Sequence, residues 1–325
     1  MRRREFITLV GGATAWPLAV YAQPSGLIPQ IVCLGSASFA TADPRQIEQF
    51  KAGLAENGLV DGHNIKVDYL WGEGSPERLR QVAANLAQRN LSVIVTAGGQ
   101  AVRALLEANV KFPIVFAILN DPVGDGLIQS LARPGGNITG LSMSGTDLES
   151  KRLQILKETV PTLTKVMLLH DPSVGLTRLN EARRGARTLG IEVSVTDTVD
   201  VDKIKEALAA AGAQGINGVA GTASPFFYFR RKQLIELCSQ YRLPSIWETG
   251  AYVRDGGLLS YGPSFPDMYR RSATYVAKII KGSSPRELPV EQPTRFELAI
   301  NLKTAQTLGL TIPATLISRA DEVIE

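Results

Sequence analysis

From residue 31 onward, short runs rich in Val, Ile and Leu alternate with longer stretches in which apolar residues recur every three or four positions. The first spacing suits a buried strand and the second a helix with one apolar face. The pattern predicts strands over 31–34, 65–70, 92–95 and 113–119, separated by helices over 44–57, 76–90 and 100–108. Ile47, Phe50 and Leu54 share one face of the first helix, which stops at Asn57-Gly58, a usual helix end. Leu79, Val82 and Leu86 face inward in the second, which carries Pro76 in its first turn. Strands joined by helices of this length pair in parallel through right-handed crossovers.

The alternation then restarts. Helices are expected over 147–160, 176–189, 200–211 and 226–241, with strands over 165–170, 191–195, 215–220 and 245–247. The fold class is therefore α/β, with two doubly wound parallel-sheet lobes. Segments 137–142, 257–262 and 287–293 lack helical spacing and suit crossovers between the lobes. The last, with prolines at 289 and 293, reads as an extended strap. Residues 28–139 and 262–286 would form the first lobe, and 140–261 with 287–325 the second. Two lobes joined by three crossover strands make a hinged clamp, and closure around a ligand is a recognised motion of such clamps.

In open parallel sheets a ligand sits beyond the carboxyl ends of the strands. Six loops after the expected strands are short and rich in Gly, Ser, Thr, Asp or Asn, and they supply the candidate ligand-binding residues. Ser36, Ala37 and Ser38 follow the first strand. Gly98, Gly99 and Gln100 open the helix after the third, where unpaired backbone N–H groups would favour a ligand carboxylate, although a Gly pair after a strand is more often plain turn chemistry. Asn120 and Asp121 end the fourth strand. Asp121 is either a partner for a ligand ammonium or the cap of the next short helix. Asp171 follows the strand over 165–170, and Thr222, Ala223 and Ser224 follow that over 215–220. Trp247 and Glu248 end the last one. Glu248, with no helix start that needs it, is preferred to Asp121 as the cation partner. Trp247 and Tyr261 would either stack on a ligand ring or pack in the core or hinge.

Composition narrows the chemistry. The net charge of +4 owes much to Arg2, Arg3 and Arg4, and no concentrated basic stripe suggests a nucleic-acid partner. The arginines at 152, 183–184 and 230–231 read as solvated helix faces. With only His63 and His170, a multi-histidine metal site is excluded, and no metal or cofactor is expected. Neither a dinucleotide fingerprint nor a phosphate loop occurs, and no Ser lies in a G-x-S-x-G turn. No nucleophile, base or carboxylate pair forms a catalytic constellation, so the chain reads as a binder, not an enzyme. Cys33 and Cys238 fall in different expected lobes and read as small buried apolar groups.

The first 22 residues read as an export signal. Arginines precede the apolar run from Thr8 to Ala19, and Val20-Tyr21-Ala22 places small residues for cleavage after Ala22. Arg3-Arg4-Glu5-Phe6-Ile7 is similar to a twin-arginine signal. The apolar run is short and glycine-containing for a bilayer span. A soluble periplasmic protein is expected.

Five runs carry a family resemblance. They are residues 120–127 (NDPVGDGL), 132–140 (ARPGGNITG), 151–157 (KRLQILK), 256–263 (GGLLSYGP) and 296–305 (FELAINLKTA). With them the mature chain resembles the substrate-binding proteins of ABC importers, specifically the tryptophan/tyrosine-type branch with the type I periplasmic-binding fold. The resemblance implies a monomer that clamps a small-molecule ligand at the hinge, with a membrane permease and ATPase as partners. It also implies a carboxylate gripped by first-lobe loops, matched by Gly98, Gly99, Gln100 and Asn120. The ammonium would meet an acidic group of the second lobe, matched by Glu248. An amino acid, aromatic or branched, and a carboxylate without an amine both remain open, as do an importer component and an exported ligand sensor. Replacing Arg3 and Arg4 together by Lys is expected to hold the uncleaved precursor in the cytoplasm. Cell fractionation checks this, and undiminished export would assign the general secretory route.

Overall fold

The structure, a computed structural model, describes residues 28–36, 38, 42–143 and 148–325. The expected export segment and Ala37 lie outside the described residues. No helix among the described residues is long and apolar enough to cross a membrane.

The first half folds as β1 (Gln30–Gly35), α1 (Pro44–Glu56), β2 (Lys66–Trp71), α2 (Pro76–Leu86), β3 (Val93–Ala97), α3 (Gly99–Glu107), β4 (Ile114–Leu119) and β5 (Ile138–Ser142). These strands form one parallel sheet in the order β2-β1-β3-β4-β5. Asp43 and Ser75 accept backbone N–H groups at the starts of α1 and α2, and a proline follows each cap.

The second half continues with α4 (Leu148–Thr159), β6 (Lys165–His170), α5 (Thr177–Thr188), β7 (Glu192–Asp197), α6 (Val201–Ala210), β8 (Gly218–Gly221), α7 (Pro225–Phe229), α8 (Arg231–Gln240), β9 (Ser245–Trp247), α9 (Gly250–Arg254) and β10 (Leu259–Pro263). The chain ends with α10 (Phe265–Ile280), β11 (Phe296–Asn301), α11 (Leu302–Leu308), α12 (Ala314–Ile317) and β12 (Glu322–Ile324). A second sheet has the order β12-β11-β10-β9-β8-β6-β7, parallel except between β10 and β11. This is the expected α/β class, with parallel sheets in two lobes.

Several details differ from the sequence reading, each for a physical reason. Segments 138–142 and 259–263 are not bare crossovers, since they complete the two sheets as β5 and β10. The stretch 287–293 is pinned along β5: Ser142 N donates to Glu291 O at 2.8 Å, and Val290 is buried in the core. The helix expected over 226–241 breaks at Arg230 into α7 and α8. α10 falls outside the strand–helix alternation read above. It packs along α1 and covers one face of the first sheet. Arg152 and Arg231 are buried rather than solvated. Arg152 pairs with Glu149 and donates to the Tyr261 carbonyl at 3.0 Å, while Arg231 pairs with Asp255 at 2.7 Å. A charge can leave water when such partners replace its hydration.

The first sheet buries its two faces differently. Val32, Leu34, Ile94 and Phe116 pack against α2 and α3. On the opposite face Ile31, Val67, Val93 and Val115 pack against α1 and α10. At the junction of β4 and β5, Gly140 has φ +149°, and a Cβ there would lie 2.0 Å from the Phe116 carbonyl oxygen. Strand pairing at this spacing needs glycine. Gly140→Ala is expected to remove roughly 2–4 kcal/mol of stability through strain and overpacking. A lower urea midpoint at unchanged slope would register it.

Candidate functional site

Residues on the α1/α10 side of the first sheet alternate along each strand, so Ile31, Cys33 and Gly35, or Val67, Tyr69 and Trp71, point the same way. Their amino-terminal members are covered by core. Their carboxyl-terminal members, Cys33, Gly35, Tyr69, Trp71, Val95 and Ala97, instead line a cavity of about 160 Å³ that opens between the lobes. α1 contributes Gln46 and Phe50, α10 contributes Phe265 and Tyr269, and α7 of the opposite lobe contributes Tyr228 and Phe229. Seven of the chain's 10 Phe, 8 Tyr and 3 Trp residues thus meet in one place. An apolar cavity near 150 Å³ holds a benzene ring.

Polar groups enter from both lobes. The first supplies Ser36, Gly98, Gly99, Gln100, Arg103, Asn120 and Asp125, and the second Ser173, Ala223, Ser224 and Glu248. Among the described residues, no side chain caps the start of α3. Gly98 has φ +81°, and a Cβ there would touch the Pro225 ring of the other lobe at 3.3 Å. Arg103, on α3, stands 3.7 Å from Asp125, whose carboxyl is raised by burial although Arg103 opposes the shift.

Glu248 is the most unusual group. Only 2% of it is exposed, and burial pushes its carboxyl up to about 7, with Arg152 nearby acting in the opposite sense. Tyr252 donates to Oε1 at 3.3 Å, while Oε2 is buried with no hydrogen-bond partner among the described residues. Buried polar atoms in folded proteins are rarely left this way.

The lobes touch around the cavity. Asn120 Nδ2 donates to the Ala223 carbonyl at 3.1 Å, and Gln46 Nε2 to the Tyr228 hydroxyl at 3.1 Å. Farther out, Arg254 pairs with Asp43 at 3.1 Å and with Glu322 at 2.7 Å.

Of the residues singled out from sequence, Ser36, Gly98, Gly99, Gln100, Asn120, Ala223, Ser224 and Glu248 lie on the cavity. Others do not. Ser38 is described but is not on the wall. Asp121 turns back to accept Gly124 N at 3.0 Å, a local cap. Asp171 accepts Ser173 N at 2.8 Å and the Ser224 hydroxyl at 2.5 Å, so it stands behind a wall residue. Thr222 is occupied by the Leu169 carbonyl and His170. Trp247 is fully buried, stacked on Tyr252 at 4.5 Å with its indole N–H on Ser245. Tyr261 stacks on Phe296.

Sequence reading passed over Trp71, Tyr69, Tyr228, Phe265, Tyr269 and Arg103. The strand-end rule, applied to β2 as to the other strands, points to Trp71. Phe265 and Tyr269 required α10 to be recognised, and its Ser264 cap with Pro266 is a legible helix start.

The pattern of ABC transporter substrate binding proteins matches residues 42–324. The chain is 21% identical over 275 residues to the tyrosine-binding protein of Clostridioides difficile (strain R20291), spanning 80% of this chain and 75% of that one. A conserved domain protein of Vibrio cholerae superposes with a TM-score of 0.84 at 24% identity, covering 91% of this chain and 100% of the other. A Streptococcus pneumoniae ABC domain in complex with L-Trp gives 0.84 at 23% identity, covering 92% and 100%. Matched from α1 to β12, with two parallel-sheet lobes and a cavity between them, the chain belongs to the ABC transporter substrate binding protein family.

Proposed function

We propose that this protein is the exported, periplasmic solute-binding component of an ABC importer, working with a membrane permease and ATPase, and that it clamps an aromatic amino acid. The observation that carries the reading is Glu248: a buried carboxylate oxygen without a hydrogen-bond partner among the described residues, on the wall of a cavity that seven aromatic rings line. A ligand ammonium would supply the missing partner, and the rings would enclose an aromatic side chain. The ligand carboxylate would sit at the opposite end, at the uncapped start of α3, with Asn120 and the Arg103 cation beside it. The tyrosine-binding and L-Trp-bound relatives agree with this assignment.

Clamping is the second part of the proposal. Residues 28–139 and 262–286 would close against 140–261 and 287–325. The Asn120–Ala223, Gln46–Tyr228 and Arg254–Asp43 contacts would then belong to the closed form.

Removing the Glu248 charge separates the ligand classes. Glu248→Gln is expected to weaken an aromatic amino acid by about thirtyfold or more, because the ammonium loses its buried counter-charge. The deaminated analogue should bind the variant equally well or better. Calorimetry on both variants with one such pair decides it, and equal losses for both ligands would make Glu248 a structural residue.

pH provides an independent reading. Below about 7 the buried Glu248 carboxyl keeps its proton, which an arriving ammonium must displace. Amino-acid affinity should therefore rise with pH through that value and level off above it. The loss between about pH 8 and pH 5.5 should approach about thirtyfold, and Glu248→Gln should flatten the profile. The ligand-free protein should show the opposite trend. Its folded form holds the Glu248 proton more tightly than the unfolded chain, so stability declines as pH rises from the ordinary carboxyl value towards 7.

A further inference from the structure

The aromatic end of the cavity is not uniformly apolar. Tyr69, on β2, and Tyr269, on α10, face it from the sheet and from its covering helix. The Tyr69 hydroxyl is buried with no hydrogen-bond partner among the described residues. Tyr269 is half-buried: its backbone carbonyl accepts the Ser272 hydroxyl, and its own hydroxyl makes no hydrogen bond to a described residue. Burial pushes both phenols' pKa up, so both are neutral O–H groups able to donate and to accept. Ser36, at the end of β1 beside the same cavity, has a second buried hydroxyl without a hydrogen-bond partner among the described residues. The remaining hydroxyl-bearing aromatic on the wall, Tyr228, is by contrast bonded to Gln46.

Two buried, unpaired hydroxyls, with that of Tyr269 free to bond beside them, are an odd provision for a plain phenyl ring, which would offer none of them a partner. A ring carrying its own hydrogen-bonding group would satisfy them. Resting on the aromatic amino-acid reading above, we propose that Tyr69 and Tyr269 are specificity-determining residues that select ligands whose ring bears a hydroxyl or N–H, a phenol or an indole, over the unsubstituted phenyl side chain. A site built around such a group rejects the analogue lacking it strongly, because its own polar atoms are then stranded.

Four ligands test this by calorimetry: tyrosine, phenylalanine, and their amine-free counterparts, para-hydroxyphenylpropionate and phenylpropionate. The wild-type protein should prefer the hydroxylated member of each pair by about tenfold or more. Tyr69→Phe and Tyr269→Phe keep the rings, and each should shrink that preference by about fivefold or more while phenylalanine binds unchanged or tighter. Equal wild-type affinity within both pairs, or a preference intact in both variants, overturns the inference. The two readings fail separately. A hydroxyl preference without an amine preference removes the ammonium role of Glu248 and leaves the ring selection standing. An amine preference alone does the reverse, and failure of all four ligands to bind removes both.

Discussion

Parallel pairing brings the carboxyl ends of neighbouring strands to one edge of their sheet, and the site depends on that constraint. On the first sheet, α1 and α10 cover one face from its amino-terminal side and leave its carboxyl-terminal rows, from Cys33 and Tyr69 to Trp71, without core to pack against. The second lobe approaches the same edge with the ends of β8 and β9, which carry Ala223, Ser224 and Glu248. The cavity is thus an unfinished stretch of hydrophobic core, bounded on one side by a hydrogen-bonding loop from each strand. Its aromatic lining and its polar mouth have one origin.

The second lobe carries an electrostatic cost at this edge. Glu248 is buried near Arg152, but Arg152 already pairs with Glu149, and Glu149 in turn donates its backbone N–H to Glu181. Glu181 is itself paired with Arg178 at 3.1 Å. The buried arginine is shared among carboxylates, so Glu248 receives only part of the counter-charge that would hold it ionised. Desolvation wins, and its carboxyl rises to about 7. A second full partner for Glu248 would hold it ionised but would occupy Oε2, which has no hydrogen-bond partner among the described residues. Local conflicts of this kind are expected where function overrides packing.

The two tryptophans at strand ends show where sequence reading stops. Trp71 ends β2 and Trp247 ends β9, each beside a glycine of the neighbouring strand, Gly35 and Gly221, over which its ring lies. In sequence they are equivalent candidates for a ligand platform. In the fold, α9 places Tyr252 flat against Trp247 and seals it into the core, whereas Trp71 remains on the cavity. Arg152 is a similar case. Its position on a helix suggested a solvated face, but a carboxylate one turn away and a carbonyl from β10 let it be buried.

The sequence by itself determined the strand–helix alternation up to about residue 247, the parallel α/β class and most of the strand ends that approach the cavity, because periodicity, caps and glycine turns are local properties of the chain. It also marked Glu248 as the acidic group to watch, since no nearby helix start needed it as a cap. Only the tertiary structure decided which strand-end residues reach the cavity and which turn to local partners, as Asp121 and Thr222 do. It alone joined Tyr69 of β2 to Tyr269 of α10, two hundred residues apart, because which rings share a cavity depends on helix packing across the sheet and not on spacing along the chain.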